Sequence, residues 1–254
     1  MEILKTDCFE PIALEDMEQV KLMNRTDTKY WFHLKQLSLL FSKVKDDYFI
    51  LNMFGESMLP YSTVYYDTPE SLMFLAHHNG KLNRYKIRRR SYVASNISFL
   101  EVKFKSNKGR TIKKRISSDF KVDSFTDKES KFISDLTPFD SSCLRASLIN
   151  DFKRITLVNK NFKERCTIDS SLKFTKGDKT LLLDNLVVLE IKSEGSVSGS
   201  PLARALREQR IKSSGFSKYC VGRSLTDARL KRNLFKRKVR SIEKIIETNN
   251  HLYN

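Results

Sequence analysis

Residues Arg84–Arg90 read Arg-Tyr-Lys-Ile-Arg-Arg-Arg, so that every second position, starting with the first, holds a cation. In a β-strand, successive side chains point to opposite faces of the sheet, and alternate residues therefore share a face. The alternation predicts a strand. Its cationic face would carry Arg84, Lys86, Arg88 and Arg90.

Three other segments show a similar alternation: Phe99–Lys105, Arg110–Ile116 and Val188–Lys192. Their polar positions are Glu101, Lys103, Lys105, Thr111, Lys113, Arg115, Glu190 and Lys192. A strand face that simply meets water would explain any one of these segments. Four such faces in one sheet would place like charges opposite each other, where they repel. A closed β-barrel, with apolar faces packed outward against helices and charged faces around a wet lumen, explains the set better.

We therefore expect an α+β fold, namely an eight-stranded antiparallel closed β-barrel with surrounding helices and a C-terminal basic helix. The chain has no internal repeat and no linker rich in proline or glycine, so residues 1–254 are predicted to form one domain. Among the surrounding helices, hydrophobic spacing predicts one at Leu34–Val44 and another at Ser141–Ile149.

A lumen lined with cations favours a dense polyanion as its ligand. Opposite unit charges about 4 Å apart attract each other by roughly 4 kcal/mol at an effective dielectric constant near 20. Phosphate chains supply such closely spaced negative charges, and arginine can bind a phosphate through two parallel hydrogen bonds.

The net charge of the 254-residue chain is +17, from 47 Lys and Arg against 30 Asp and Glu. Its 40% hydrophobic content is sufficient for a core and argues against a disordered polycation. The stretch Arg229–Arg240 holds seven basic residues and no acidic one, so more than half of the net charge lies elsewhere.

The C-terminal stretch is predicted to form a basic helix over residues 224–247. Ser224 and Asp227 have the spacing of a capping box at its start. Its cations fit either of two interpretations, a solvated face of a packed helix or a surface that docks to an anionic partner.

Several other classes of function lose support. The four cysteines are far apart in the chain and the four histidines lack metal-binding spacing, so zinc, disulfide and thiol chemistry are not expected. No run of about 18 apolar residues predicts a transmembrane segment. The N-terminus lacks the layout of a signal peptide, and we expect a soluble, cytoplasmic protein.

A set of motifs in a fixed order resembles a known family. The motifs are Thr26–Trp31, Tyr65–Pro69, Lys86–Arg90, Leu100–Lys103, Ile112–Arg115, Leu189–Lys192 and Gly215–Tyr219. They resemble the VTC domain, the catalytic domain of the vacuolar transporter chaperone polyphosphate polymerase, within the triphosphate tunnel metalloenzyme (CYTH-like) superfamily. The resemblance covers a core of about 23–222. It implies a tunnel barrel, a divalent metal (Mn²⁺ or Mg²⁺), and transfer of the γ-phosphate of ATP to phosphate or polyphosphate.

The resemblance also implies roles for particular residues. Catalytic positions are Lys29, Arg88, Arg90, Lys103 and Lys218. Positions that bind phosphate or nucleotide are Lys86, Lys113, Arg115, Arg154, Arg165 and Lys192. Glu190 matches the metal-binding glutamate, whereas Glu101 and Asp169 are either further metal ligands or salt-bridge partners of the cations.

Two positions depart from the family pattern. The CYTH enzymes carry Glu-x-Glu-x-Lys near the N-terminus, where this chain has Arg25–Lys29 without that pair of glutamates. Fewer acidic groups favour transfer to an ionised phosphate over the activation of water. The eukaryotic polymerases also carry a lysine where this chain has Gly215, and Lys212 is a candidate replacement.

The residues and the resemblance together predict a metal-dependent polyphosphate polymerase that uses ATP. Two alternatives remain open, a tunnel triphosphatase and a non-catalytic module that binds polyphosphate or another polyanion. Specific nucleic-acid binding is not expected, because the strand cations are not interleaved with an aromatic stripe on which bases could stack.

Overall fold

The computed structural model describes residues 6–19 and 25–247. Parts of the predicted domain, including Met23 at the start of its core, lie outside these ranges. The strands within them are β1 (Glu10–Ile12), β2 (Arg25–His33), β3 (Tyr48–Leu51), β4 (Leu59–Asp67), β5 (Arg84–Tyr92), β6 (Ile97–Lys105), β7 (Thr111–Ser117), β8 (Arg145–Asn159), β9 (Glu164–Lys176), β10 (Lys179–Leu183) and β11 (Leu186–Glu194). The α-helices there are α1 (Leu37–Val44), α2 (Leu72–His78), α3 (Asp127–Leu136), α4 (Pro201–Glu208), α5 (Lys218–Thr226) and α6 (Lys236–Glu247).

The main sheet is an antiparallel path of eight strands in the order β2-β11-β9-β8-β4-β5-β6-β7. The short strands β1, β3 and β10 pair alongside this path. The predicted α+β class and the eight antiparallel strands with surrounding helices are therefore confirmed. None of the helices in the described ranges is long and apolar enough to cross a membrane.

The prediction of a closed barrel is wrong in one respect. Within the described ranges, no backbone hydrogen bonds join β2 to β7, the two ends of the eight-strand path. The side chains of β7 are mostly exposed, and its run Lys113–Arg115 places three adjacent cations on an edge strand. Lysines along an edge strand oppose further strand pairing. The sheet thus stays open at this seam.

The C-terminal helix begins later than predicted. Helix α6 starts at Lys236, whereas Ser224 lies inside α5 and donates from its Oγ to the carbonyl oxygen of Cys220 at 2.7 Å. A side chain that donates to the preceding turn cannot cap a new helix, so the predicted capping box at Ser224 does not form. The cap of α5 is Ser217, whose Oγ accepts from the backbone nitrogen of Cys220 at 3.3 Å.

The helix predicted at Ser141–Ile149 is also wrong. A short 3-10 turn at Ser141–Cys143 is followed directly by β8, and Leu148 pairs with Tyr65 of β4. Apolar residues spaced over less than three turns do not distinguish a helix from a strand, and pairing with a neighbouring strand decides the outcome. The helix predicted at Leu34–Val44 does form, as a 3-10 turn followed by α1.

Helices cover the apolar face of the sheet. Leu40 of α1 and Leu202 of α4 pack with Leu189 and Ile191 of β11 in one buried cluster. Ile133 of α3 packs with the β5–β6 hairpin in another. Each fully buried leucine or isoleucine stabilises the fold by roughly 1.5–3 kcal/mol relative to an exposed one.

Arg89 shows how the alternation along β5 separates two environments. It is completely buried on the face opposite its cationic neighbours, and its Nη2 lies 3.0 Å from both carboxylate oxygens of Glu129 in α3. Its Nη1 also donates to the hydroxyl of Tyr66 at 2.7 Å. This arginine therefore ties α3 to the sheet and takes no part in the cationic face.

Helix α5 packs against the face of β8 that also carries Arg154. Cys220 and Val221 share a buried cluster with Leu148 and Phe174. A Cβ atom placed on Gly222 of α5 would lie 2.5 Å from Cδ2 of Leu148 and 2.7 Å from Cδ1 of Phe174. Only a residue without a side chain allows the helix to approach the sheet so closely.

We predict that Gly222→Ala destabilises the protein by about 1–3 kcal/mol, because the added methyl group overpacks this contact. The matched control is Gly199→Ala, since a Cβ atom there would meet no atom within 4 Å. Urea unfolding measures both free energies. Equal stability of the two variants would contradict the close packing of α5.

Candidate phosphate-binding cavity

The polar face of the sheet surrounds a cavity of about 780 Å³. Each of the eight strands of the main path contributes at least one lining residue. Twelve lysines and arginines line it, but only three carboxylates. The sheet therefore curls around one strongly cationic space, although its edges do not join.

Most of the predicted site residues meet in this cavity. Those that line it are Lys29, Lys86, Arg88, Arg90, Lys103, Lys113, Arg154, Asp169, Glu190, Lys192 and Lys218. Three predicted residues do not line it: Arg115, Arg165 and Glu101. The guanidinium of Arg115 lies 4.3 Å from the ring centroid of Phe99, and Arg165 is the register partner of Lys192 across the β9–β11 pair.

Glu101 of β6 does not line the cavity but contacts two of the cations that do. It is almost fully buried, lies 2.6 Å from Nε of Arg88, and also forms an ion pair with Lys113. Burial raises the pKa of Glu101, but the charges of Arg88, Arg90 and Lys113 outweigh this effect and lower the pKa to about 2. Glu101 is thus a salt-bridge partner that connects β5, β6 and β7.

Asp169 of β9 has a corresponding role in the wall of the cavity. Its carboxylate accepts two hydrogen bonds from Arg154, at 2.6 and 2.8 Å, and a third from Lys218. Burial alone would raise its pKa, yet Arg154 and Lys218 hold it well below its usual range. The Lys218 Nζ also lies 3.5 Å from the ring centroid of Phe152. Asp169 therefore fixes the first residue of α5 against β8 and β9.

Glu190 lies on β11 between two lysines. It contacts Lys29, its register partner on β2, and lies 3.6 Å from Nζ of Lys192. Within the described residues, no group of three or more histidine, cysteine or acidic side chains forms a complete metal site. A Mg²⁺-type ion needs only one or two carboxylates when phosphate oxygens and waters supply its other ligands. The donor set around Glu190 fits a metal that arrives with a phosphate substrate.

The start of α5 completes the wall of the cavity. Lys86 of β5 donates to Oγ of Ser217 at 2.9 Å, and the hydroxyl of Tyr219 donates to Asp67. Asp67 also accepts from the backbone nitrogens of Met73 and Phe74 in α2. The Tyr65–Pro69 motif thereby positions the helix that carries Lys218. Because the N-terminus of a helix attracts anions, this placement adds to the cationic field.

Sequence reasoning left several lining residues out of the predicted site. Arg84 and Lys105 were found by the alternation of their strands but were given no role. His77 carried no sequence signal. Lys238 belongs to the basic stretch Arg229–Arg240 but was not expected in the cavity, because the fold brings both residues there from α2 and α6. Lys212, the candidate replacement for a lysine at Gly215, is exposed and does not line the cavity.

Crowding of positive charge lowers the pKa of lysines in the cavity. Burial lowers the pKa of Lys103, and the charges of Arg88, Lys86 and Lys29 lower it further, to about 7. The pKa of Lys86 is lowered by the same causes, burial first and then Arg84 and Arg88. A fraction of the Lys103 amine is therefore neutral in the empty cavity near neutral pH.

We predict that binding of tripolyphosphate takes up protons. A bound anion favours the ammonium form, so the pKa of Lys103 is higher in the complex than in the free protein. The ammonium form of Lys103 strengthens the binding of tripolyphosphate. This contribution is fully present below about pH 7 and is lost as the pH rises from there toward the pKa of Lys103 in the complex. Calorimetry at pH 7.5 in two buffers with different ionisation enthalpies measures the uptake.

The variant Lys103→Met should lower this proton uptake, whereas Lys114→Met should leave it unchanged. Lys114 is exposed on the same hairpin and does not line the cavity. If Lys103→Met took up as many protons as the wild-type protein, the lowered pKa inferred for Lys103 would be wrong.

The curled antiparallel sheet surrounds a cation-lined cavity, the kind of site that binds a polyanion. The sequence profile of the VTC domain matches residues 24–226, and the chain belongs to that family. No curated protein matches the chain.

Several solved structures show a distant similarity to this chain. One is a Hippeastrum protein described as an adenylyl cyclase with a dominant triphosphatase activity (TM-score 0.49, 15% identity, 79% of this chain and 95% of that chain covered). A second comes from Pyrococcus horikoshii (TM-score 0.38, 9% identity, 74% and 92% covered). A third is an RNA triphosphatase of Schizosaccharomyces pombe (TM-score 0.29, 13% identity, 87% and 75% covered). The family assignment rests on the VTC match.

Proposed function

We propose that the protein is a metal-dependent polyphosphate polymerase that transfers the γ-phosphate of ATP to phosphate or to a growing polyphosphate chain. The observation that supports this most directly is the charge of the cavity, where twelve cations meet three carboxylates. A triphosphate carries about four negative charges near neutral pH. Even when Glu101, which pairs with Arg88 and Lys113, is counted, the positive charge exceeds what one triphosphate neutralises and leaves enough for a second anion, as a reaction between a donor and an acceptor phosphate requires.

Phosphoryl transfer depends on positioning and on neutralising charge more than on covalent chemistry. In this proposal Arg88 and Arg90 of β5 bind the transferred phosphoryl group, with Lys103 beside them on β6. Lys29 and Lys218 hold the neighbouring phosphates, and the other predicted cations of the cavity orient the chain. Glu190 would hold the divalent metal, Mn²⁺ or Mg²⁺, which would supply charge neutralisation at the phosphate oxygens when bound.

The acceptor in this reaction is already ionised, so no general base is needed. Of the three carboxylates that line the cavity, Asp169 and Glu190 are in contact with lysines, and Asp27 is the register partner of Lys192 across the β2–β11 pair. A hydrolase must instead activate water, for which an unpaired carboxylate is better suited. This distribution of charge favours the polymerase over a triphosphatase with the same cavity.

Two further expectations accompany the proposal. ATP as the donor implies a compartment that supplies ATP, and we place the protein in the cytoplasm. Docking to an anionic surface through the C-terminal basic helix stays a prediction, supported by the exposure of Lys236 and Arg237 on α6.

The proposal is tested with purified protein, ATP and either Mn²⁺ or Mg²⁺. We expect long polyphosphate, detected by gel electrophoresis and by ³¹P NMR of the bridging phosphates. The variants Arg88→Met and Glu190→Gln should each lower the rate by at least about a hundredfold, since each removes a group that neutralises transition-state charge.

The variant Lys114→Met is the control, because it removes a cation from the same sheet but outside the cavity. It should retain the wild-type rate. Release of phosphate from ATP or tripolyphosphate without any polymer would replace the proposal by a tunnel triphosphatase. Salt-sensitive polyphosphate binding without turnover under either metal would replace it by a non-catalytic binding module.

A further inference from the structure

Helix α6 reaches the cavity from outside the region that matches the VTC domain. The match ends at residue 226, whereas α6 spans Lys236–Glu247. Lys238 of α6 lines the cavity, and so does Phe235, the residue just before that helix. The Lys238 Nζ donates to the carbonyl oxygen of Gly215, which holds the amine at the cavity wall.

Lys238 extends a row of cations that runs along the β5–β6 hairpin. Lys86 and Lys103 are register partners, and Arg84 and Lys105 form the next cationic pair toward the same end. Strand residues two apart are separated by about 6.6 Å along the strand. From Arg90 to Arg84 the row is therefore about 20 Å long. Lys238 adds one more cation near the Lys86–Arg84 end, because it binds Gly215 while Lys86 binds Ser217, two residues further along the chain.

The cations at this end form no ion pair with a carboxylate of the described residues, a property that they share with Lys86, Arg90 and Lys103 of the same hairpin. Arg88, Arg154, Lys29 and Lys218 each form an ion pair with a carboxylate. Among the residues that the structure describes, no ion pair involves Arg84, Lys105 or Lys238. Arg84 and Lys238 instead donate to the backbone carbonyl oxygens of Lys81 and Gly215. Within residues 6–19 and 25–247 no carboxylate balances the charge at this end, and a bound anion would balance it.

His77 of α2 adds a neutral polar group to the same place. Its ring stacks on Phe235, with centroids 6.2 Å apart and planes inclined by 21°. Its Nδ1 is buried and has no hydrogen-bond partner among the described residues. Burial, followed by the charges of Lys86, Arg84, Lys105 and Lys238, lowers the pKa of His77 to about 3. An uncharged imidazole can donate one N–H hydrogen bond, and a phosphate oxygen is a suitable acceptor.

We propose that His77, Arg84, Lys105 and Lys238 form a chain subsite, which binds the part of a polyphosphate that extends beyond the reacting phosphates. The subsite rests on the proposed function and adds the C-terminal helix to the substrate-binding machinery. Three cations without carboxylate partners and one imidazole suit a run of phosphates. They suit an adenine base less well, because a base brings no negative charge to offset theirs.

The test compares the affinities of two probes, tripolyphosphate and long-chain polyphosphate, for Lys238→Met and for the control Arg240→Met. Arg240 is an exposed cation of the same helix that does not line the cavity. Titration calorimetry at fixed salt concentration and without ATP measures binding independently of turnover.

Lys238→Met should weaken long-chain polyphosphate binding about tenfold, the effect of one lost charge-assisted hydrogen bond, and tripolyphosphate binding less than twofold. Arg240→Met should change both affinities less than twofold. Lys238→Arg should restore most of the long-chain affinity, and thermal unfolding shows whether each variant is folded. Arg88→Met should weaken both ligands, because Arg88 lies in the shared part of the cavity.

Two results would overturn the subsite: equal losses for Lys238→Met and Arg240→Met, or equal losses for the two ligands. Should Lys238→Met fail to fold, the same comparison with Lys105→Met decides. If the wild-type protein formed no polymer but the long-chain selectivity depended on Lys238, the polymerase proposal would fail and the subsite would stand.

Discussion

Repulsion among the cations of the cavity is the constraint on which the rest of the structure depends. Twelve positive side chains around one space would drive the strands apart if nothing opposed them. Glu101 and Asp169 are buried where they can each neutralise two cations, and each connects elements that a free repulsion would separate. Buried ion pairs of this kind cost strongly when one partner is removed, by about 3–5 kcal/mol. In the cavity, Glu101 and Asp169 hold these cations in position.

Apolar packing of the helices holds the sheet together against the repulsion on its polar face. Helices α1, α3 and α4 bury the outer face of the sheet, while α5 packs on the same face of β8 as Arg154 and so ends the polar space on one side. The close contact at Gly222 and the hydrogen bond from Tyr219 to Asp67 fix α5 from two directions. Lys218 therefore meets the cavity from a rigid helix, a stronger basis for phosphate positioning than a loop.

Much of this arrangement could be predicted from the alternation of Arg84–Arg90 and the segments like it, because a period of two assigns each residue to a face. Closure of the sheet could not, since alternation carries no information about whether two edge strands meet. Ser141–Ile149 failed because strand pairing with β4 outweighs a short apolar spacing. The location of His77 and Lys238 in the cavity could not be predicted for another reason. It depends on how α2 and α6 pack, and no local sequence pattern determines that packing.

The unjoined edges of β2 and β7 have a topological meaning. A polymer inside a ring closed by hydrogen bonds is threaded, and it can leave only lengthwise. Within the described residues no backbone bonds complete the ring here, so a polyphosphate bound as we propose would be held by charge and not threaded through a closed ring. If β2 and β7 separated sideways, a long polymer could leave the cavity without being pulled through it lengthwise. By the same movement, a polymer could enter the cavity even if both of its ends were bound to other molecules.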